Sequence, residues 1–213
     1  MFKTLRNAWK ISELRSKILF TLLIIALYRI GTAIPVPFIN YEALIASGTS
    51  TLFTTGVFGY LDILSGGALS SPAIFALSVT PYINAQIIMQ LLTVAIPPLE
   101  RLAKNGEEGR KKIEKITRYL TFVLAIITAI GYYAILSSLG LIVKSEVNWF
   151  FKAFVIVAVF TAGASVIMWL GERIDEQGIG NGISMILFAN IVAALPNNII
   201  QYVGSLSASK VAV

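Results

Sequence analysis

The sequence contains no cysteine and no histidine among its 213 residues, and only 13% of the residues are charged. The absence of cysteine excludes disulfides, thiol nucleophiles and thiolate metal sites. The absence of histidine removes the commonest general base and the commonest metal ligand. No nucleophile–base pair or metal-ligand set is visible among the remaining residues. The sequence therefore argues against an enzyme, and we expect no cofactor and no metal.

Polar residues are also too few to cover a soluble protein of this size. The charged fraction is far below the roughly 25% of a typical soluble domain, whereas 56% of the residues are hydrophobic and the mean hydropathy is +0.79. Lipid is therefore the expected solvent, and the chain is predicted to be a multi-pass membrane protein. In such a chain, the net charge of +6 is typical of basic cytoplasmic loops rather than of nucleic-acid binding.

Apolar segments separated by prolines, glycines and charges predict an all-α integral membrane protein with five transmembrane helices. The predicted spans cover about residues 18–34, 72–96, 119–139, 149–170 and 183–203. Pro81 lies inside the second segment and predicts a kink there, because proline removes one backbone hydrogen bond.

The segments outside these spans differ in composition. Residues 1–17 alternate basic and apolar side chains, which favours a cytoplasmic amphipathic helix at the membrane surface, with a disordered basic tail as the alternative. Residues 57–70 are too short to span and end in glycines, which predicts a half-helix followed by a hinge. Residues 97–118 are predicted to form a charged loop with a tight turn at Asn105-Gly106. Residues 204–213 are predicted to be a tail.

Basic residues are distributed unevenly between the predicted loops. Residues 1–17 contain five and the 97–118 segment contains seven, whereas the segment between the first two predicted spans contains none. By the positive-inside rule, we expect the amino terminus to be cytoplasmic. Five spans would then place the carboxyl terminus of this chain on the outer face of the cytoplasmic membrane.

Five sequence blocks occur in an order and at spacings that are typical of one family. They are Tyr28-Arg29-Ile30-Gly31 with Ile34-Pro35-Val36-Pro37, Ser65-Gly66-Gly67-Ala68-Leu69-Ser70, Thr80-Pro81-Tyr82-Ile83 with Ile87-Ile88-Met89-Gln90-Leu91-Leu92, Glu107-Glu108-Gly109-Arg110-Lys111-Lys112 with Thr117-Arg118-Tyr119, and Met168-Trp169-Leu170-Gly171-Glu172 with Gly178-Ile179-Gly180-Asn181-Gly182-Ile183-Ser184. The chain resembles the SecY family of protein-translocation channels, and the resemblance covers essentially all of residues 5–203.

The resemblance implies a fold and a function. The family has ten spans in two inverted halves, and this chain matches the amino-terminal half, in keeping with membrane transport proteins built from inverted repeats. The implied function is that of the central subunit of a channel that passes unfolded preproteins across and into the cytoplasmic membrane. The alternative is a non-conducting half-channel or scaffold that needs a second half. A channel made of two oppositely oriented copies is disfavoured by the basic-residue bias.

The resemblance also implies partners. These are SecE and SecG-type subunits, a SecA motor or a ribosome on the cytosolic face, preprotein and signal-peptide substrates, membrane lipid, and the second half of the channel.

Four apolar residues are implied to form part of the family's central pore ring: Val79, Ile83, Ile183 and Leu187. Each pair is spaced i, i+4 and so lies on one helical face. A narrow apolar ring excludes water and ions yet can widen for a peptide. Ordinary helix packing produces the same spacing and is the alternative.

The resemblance assigns a plug and a lateral gate as well. The plug and its hinge would comprise Val57, Phe58, Leu61, Ile63, Leu64, Ser65, Gly66 and Gly67. The glycines would let the plug swing, and a plain outer loop is the alternative. The gate-lining candidates are Asn84, Ile88 and Leu91, which share one face of the second span. For Asn84, an ordinary interhelical hydrogen bond is the alternative.

Two further segments carry functional hypotheses. Arg101, Lys104, Arg110, Lys111 and Lys112 are predicted to form a cytosolic docking loop for a ribosome or a motor, and a solvated positive-inside loop explains them equally well. Residues 178–182 are rich in glycine, but their spacing fits neither the dinucleotide-binding nor the P-loop pattern. A nucleotide site is therefore not expected there.

Overall fold

All regular structure in the described part of the chain is helical. The computed structural model describes residues 11–46, 59–60, 65, 67–143, 147–193 and 195. Beyond the helices, these residues form two isolated β-bridges, between Pro35 and Ala73 and between Ile39 and Ile142. In chain order the helices are α1 (Ser12–Ala33), α2 (Tyr41–Ala46), α3 (Thr80–Ala95), α4 (Pro97–Lys104), α5 (Gly106–Ser138), α6 (Trp149–Gln177) and α7 (Gly182–Ala193).

Three of these helices are long and apolar enough to cross a membrane. They are α1 with 22 residues, α5 with 33 and α6 with 29, and about 20 apolar residues suffice to span a bilayer. Helices α3 and α4 bend by 102° at their junction and could together count as a fourth span. Within the described residues the structure therefore contains three to four candidate spans. Helix α7 covers residues 183–193 of the fifth predicted segment.

The second span begins later than predicted. Residues 71–79 form turns, and α3 starts only at Thr80. Ser78 has a φ of 51°, a left-handed conformation that a continuing helix does not accommodate. Pro81 lies in the first turn of α3, where a missing N–H costs nothing because it has no partner within the helix. The predicted kink at Pro81 was therefore wrong: the proline begins the helix.

The charged segment predicted as a loop is helical. It forms α4 and the start of α5, joined at Asn105-Gly106, where Gly106 has a φ of 63°. The predicted tight turn is confirmed. Glu107 and Glu108 lie in the first turn of α5, where negative charge stabilises the helix dipole. An i, i+4 ion pair on each side of the turn, Glu100 with Lys104 and Arg110 with Glu114, stabilises these helices further.

The ends of the other helices also differ from the predicted spans. Helix α1 begins at Ser12 rather than near residue 18, and an ion pair of 3.1 Å between Glu13 and Lys17 lies on its first turns. Residues 1–10, most of the predicted amphipathic segment, lie outside the described residues. Helix α6 continues past residue 170 to Gln177. Polar residues extend both helices because intrahelical pairing does not require the lipid environment.

The interior consists of two clusters of buried apolar residues. In the first, small alanines let α5 and α6 approach closely beside larger side chains such as Tyr132 and Phe160, whose rings meet edge to face at 5.1 Å. The second lies between α1, residues 74–83, α6 and α7. This second cluster contains the four residues predicted for the pore ring.

A tyrosine fixes the connection after α1. The Tyr41 hydroxyl accepts a hydrogen bond of 2.8 Å from the Val36 N–H and donates one to the Pro72 carbonyl. Burial raises the pKa of the Tyr41 phenol above its usual value. The segment before α2 is thereby joined to the turns that precede α3.

Candidate functional site

The second apolar cluster brings together all four residues predicted for the pore ring. Val79 and Ile183 are buried members of the cluster, and Ile83 and Leu187 pack against it. Two segments far apart in the chain therefore meet through these side chains. Contact alone does not distinguish a pore ring from helix packing, so the ring role stays a prediction.

The start of α3 orients the first pair. The turn at Ser78 places Val79 at the amino-terminal end of the helix. The Ile83 N–H then donates to the Val79 carbonyl at 3.0 Å. This first helical bond puts both side chains on one face, as the i, i+4 spacing predicted.

The start of α7 orients the second pair. The Asn181 side chain accepts a hydrogen bond of 3.0 Å from the Ser184 N–H, and an Asp175 carboxylate oxygen accepts one of 2.7 Å from the Gly182 N–H. Both satisfy amide groups that have no partner within the helix. Residues 178–182, which the sequence analysis excluded as a nucleotide site, thus connect α6 to α7 and cap α7.

Close backbone contact fixes where α7 leaves α6. A Cβ atom added to Gly182 would lie 2.0 Å from the Gly171 carbonyl oxygen, and one added to Gly171 would lie 2.6 Å from Ile183 Cδ1. From α1, the Thr21 hydroxyl accepts a hydrogen bond of 3.1 Å from the Ile179 N–H. These contacts hold Ile183 against α6.

Buried polar side chains lie within this apolar cluster. Asn190 Nδ2 donates to the Tyr28 hydroxyl at 2.9 Å, and that hydroxyl lies 3.4 Å from the Ser65 carbonyl oxygen. The Ser78 side chain also lies beside the Tyr28 hydroxyl. All four residues are buried. A buried polar group is costly unless it is paired, so these contacts hold four separate segments in register.

A polar cleft of about 800 Å³ borders the cluster. It lies where α3, α5 and α6 converge. A short ion pair of 2.6 Å between Arg118 and Glu172 joins α5 to α6 at its wall. The charged residues that line the cleft are Arg110, Glu114, Arg118, Glu172, Asp175 and Glu176. Four of these residues are acidic and two are basic, so the cleft is polar and its lining carries an excess of negative charge.

The hinge is described only in part. Gly67 has a φ of 85°, a conformation that favours glycine. The Ser65 hydroxyl accepts a hydrogen bond of 3.1 Å from the Leu69 N–H, and the Tyr132 hydroxyl donates to the Leu69 carbonyl at 2.6 Å. Val57, Phe58, Leu61, Ile63, Leu64 and Gly66 lie outside the described residues, so most of the plug prediction stays a prediction.

The gate candidates share an exposed face of α3. Ile88 is 36% exposed and Leu91 is 66% exposed, and Asn84 is exposed with them. The i, i+4, i+7 spacing therefore does place them together. They face away from the rest of the described chain, which leaves their surface open to lipid or to another protein.

The docking candidates are exposed at the turn between α4 and α5. Arg101 and Lys104 lie in the last turn of α4, and Arg110, Lys111 and Lys112 lie near the start of α5. Lys104 and Arg110 each pair with a glutamate on their own helix. The structure therefore presents these cations on two helices rather than on a loop.

A model of the SecY family matches residues 73–212 of this chain. The chain belongs to the SecY family. The match includes both segments that carry the ring candidates, and it agrees with the resemblance in the sequence blocks. The curated members that match are named as subunits of a protein translocase.

Curated bacterial relatives carry the SecY name. Protein translocase subunit SecY of Bacillus subtilis strain 168 is 44% identical over 214 residues, which cover 96% of this chain and 48% of that protein. The subunit of Pseudomonas aeruginosa is 48% identical over 191 residues, or 90% of this chain and 42% of that protein. The chain thus spans about half the length of the curated relatives it matches.

Solved channel structures share the fold. One is described as the structure of a protein conducting channel, and another as Sec61 in the canine ribosome-channel complex from the endoplasmic reticulum. Each gives a TM-score of 0.56 at 19% identity and covers 83% of this chain and 36% of the other chain. At this identity, the comparison shows a common SecY/Sec61-like fold.

Sequence analysis missed the polar residues that support the ring candidates in this SecY-family chain. Asn190 could have been found, since it is the only amide within residues 185–196 and an amide among apolar residues must meet a partner. Tyr28 and Ser78 gave no such signal, because their partners lie far away in the sequence. Asp175 looked like one of several loop carboxylates, and only the structure places it at the start of α7.

Proposed function

We propose that this chain forms one wall of a SecY-type protein-conducting channel, which passes unfolded preproteins across and into the cytoplasmic membrane. The observation that carries the proposal is the SecY family match, which includes both segments with the ring candidates. The packing of Val79, Ile83, Ile183 and Leu187 in one apolar cluster agrees with it. These residues form one side of an apolar constriction, and the opposite side comes from the second half of the channel. Such a constriction blocks ions by excluding water and widens for a peptide.

The surroundings of the ring candidates support this role. The polar cleft borders the cluster at Tyr82 and Asn181, next to the starts of α3 and α7. An extended polypeptide has unpaired backbone N–H and C=O groups, which favour polar surroundings over lipid. The cleft provides a polar approach to the apolar constriction for a chain that enters from the charged side.

The remaining assignments complete the proposal. Residues 57–70 act as the plug, and Asn84, Ile88 and Leu91 line a gate that opens toward lipid. The basic ends of α4 and α5 dock a motor or a ribosome on the cytosolic face, where the amino terminus also lies. SecE and SecG-type subunits, preproteins with their signal peptides, and lipid are the partners.

The ring role is tested by ion conductance. We expect Val79→Asn and Ile83→Asn to raise the ion leak of the assembled channel, because an amide stabilises water in the constriction. Ile83→Val is the matched control, since it shortens the side chain but keeps it apolar, and it should leave the leak near the wild-type level. Unchanged conductance in both asparagine variants would show that these residues are not part of the seal.

The alternative is a half-channel that folds but does not conduct alone. The exposed apolar face of α3, with Leu91 66% and Val94 83% exposed, favours a further protein neighbour, although lipid also covers such a face. Light scattering of the complex purified in mild detergent, with gel analysis of its chains, decides between the two. Co-purification of a second polypeptide of similar size supports a split channel wall, and a single copy alone supports the non-conducting alternative.

A further inference from the structure

One buried hydroxyl connects both segments that carry the ring candidates. The Tyr28 side chain on α1 is 0% exposed, as is Asn190, and Ser78 is 3% exposed. The hydroxyl accepts from Asn190 Nδ2 at 2.9 Å, and the Ser78 side chain lies beside it. The Ser65 carbonyl oxygen, at the hinge, lies 3.4 Å from the same hydroxyl.

These partners lie next to the ring candidates in the chain. Ser78 directly precedes Val79 and has a φ of 51°, so the Tyr28 hydroxyl packs beside an uncommon backbone conformation at the start of α3. Asn190 follows Ile183 and Leu187 at i+7 and i+3, which places all three on one face of α7. The Tyr28 hydroxyl therefore acts on the position of both segments at once.

The aromatic ring of Tyr28 is fixed independently of its hydroxyl. It stacks on Phe75 with ring centroids 5.4 Å apart. Phe75 in turn fills the space beside Gly31, where an added Cβ would lie 2.0 Å from the Phe75 ring. A phenylalanine at position 28 would keep this packing and lose only the polar contacts.

We propose that Tyr28 is a positioning residue of the pore seal: its hydroxyl sets the spacing between the Val79 and Ile183 segments and joins both to the hinge at Ser65. That these residues form a seal rests on the proposed function. The spacing between the two segments rests on the contacts alone. Because the surroundings are apolar, loss of the hydroxyl leaves the Asn190 amide without this acceptor, and α7 then separates more readily from the start of α3.

The test uses the absence of native cysteine. A single cysteine, Ile183→Cys, is introduced into the full chain in the assembly in which it is purified, and its rate of reaction with a small maleimide is measured. Ile183 is only 5% exposed, so the rate reports opening of the cluster. We expect Tyr28→Phe to raise this rate by about tenfold, the size expected when a buried polar group loses one hydrogen bond.

Tyr132→Phe is the matched control. Tyr132 is 5% exposed and its hydroxyl donates to the Leu69 carbonyl at 2.6 Å, in the other apolar cluster. We expect it to lower the thermal midpoint about as much as Tyr28→Phe and to leave the reaction rate of the cysteine unchanged. If both variants raise the rate equally, or if Tyr28→Phe does not raise it, the positioning role is overturned.

A double-mutant cycle gives a second readout. Asn190→Leu removes the donor and keeps a side chain of similar size. If Tyr28 and Asn190 act through one contact, the double variant should react no faster than the faster single variant, whereas multiplicative effects would contradict the proposal.

Failure of the positioning role can be distinguished from failure of the proposed function. Faster cysteine reaction in Tyr28→Phe, together with unchanged conductance in Val79→Asn, supports the positioning role and overturns the seal. An unchanged reaction rate, together with raised conductance in Val79→Asn, overturns the positioning role and leaves the seal standing.

Discussion

At the scale of single residues, glycine determines how closely α6 and α7 approach each other. Gly182 contacts the Gly171 carbonyl so closely that a Cβ atom would lie 2.0 Å from the oxygen. Backbone atoms cannot move aside as a flexible side chain can, so the two helices would have to separate. Since Ile183 follows directly, the separation would also displace a ring candidate.

We therefore predict that Gly182→Ala lowers the stability of the protein by about 1–3 kcal/mol, the usual cost of overpacking. Gly131→Ala on α5 is the matched control, because a Cβ atom there meets nothing within 4 Å and alanine favours helix. Thermal unfolding of both variants in the same detergent measures the difference. Equal midpoints for the two would show that the contact at Gly182 is not tight in the protein.

At the scale of elements, the starts of α3 and α7 are defined by different local structural features. Helix α3 starts after a left-handed residue, with a proline in its first turn. Helix α7 starts with side-chain caps from Asn181 and Asp175. In each case this end of the helix carries the first member of a ring pair. The local structure at the helix start therefore determines the direction of an apolar side chain.

Asp175 should be measurably important for α7. We predict that Asp175→Ala lowers stability by about 1 kcal/mol, the typical cost of losing a cap. Asp175→Asn should retain most of it, because the amide oxygen can still accept from the Gly182 N–H. Chemical denaturation monitored by tryptophan fluorescence compares the three proteins. If the asparagine variant is as unstable as the alanine variant, the charge rather than the hydrogen bond is what matters.

At the scale of the whole molecule, the topology can be mapped directly because the chain lacks cysteine. Lys111 and Ser138 are both exposed and lie at opposite ends of α5. With a cytoplasmic amino terminus, we predict that Lys111→Cys reacts with a membrane-impermeant maleimide only after permeabilisation, whereas Ser138→Cys reacts in intact cells. The unsubstituted chain is the control for background labelling. The reverse pattern would invert the proposed orientation.

The sequence alone determined the solvent, the class of fold and the family. Hydropathy and the low charged fraction indicate the solvent and the class of fold, because they depend on the whole composition. The family is indicated by blocks of neighbouring residues. The sequence also placed the two members of each ring pair on one helical face, and the three gate candidates on one face of their helix, since helical spacing is local. The sequence did not determine where helices begin, because Pro81 and residues 97–118 contain signals that fit more than one local structure.

Only the tertiary structure decided which distant segments meet. Val79 and Ile183 are separated by about a hundred residues, and no local pattern links them. The pairing of Tyr28 with Asn190 and Ser78 likewise depends on burial in a common apolar cluster, where a polar group must find whichever partner the fold brings near. For that reason the candidate ring could be predicted residue by residue through the family resemblance, but the contacts that hold it in place could not.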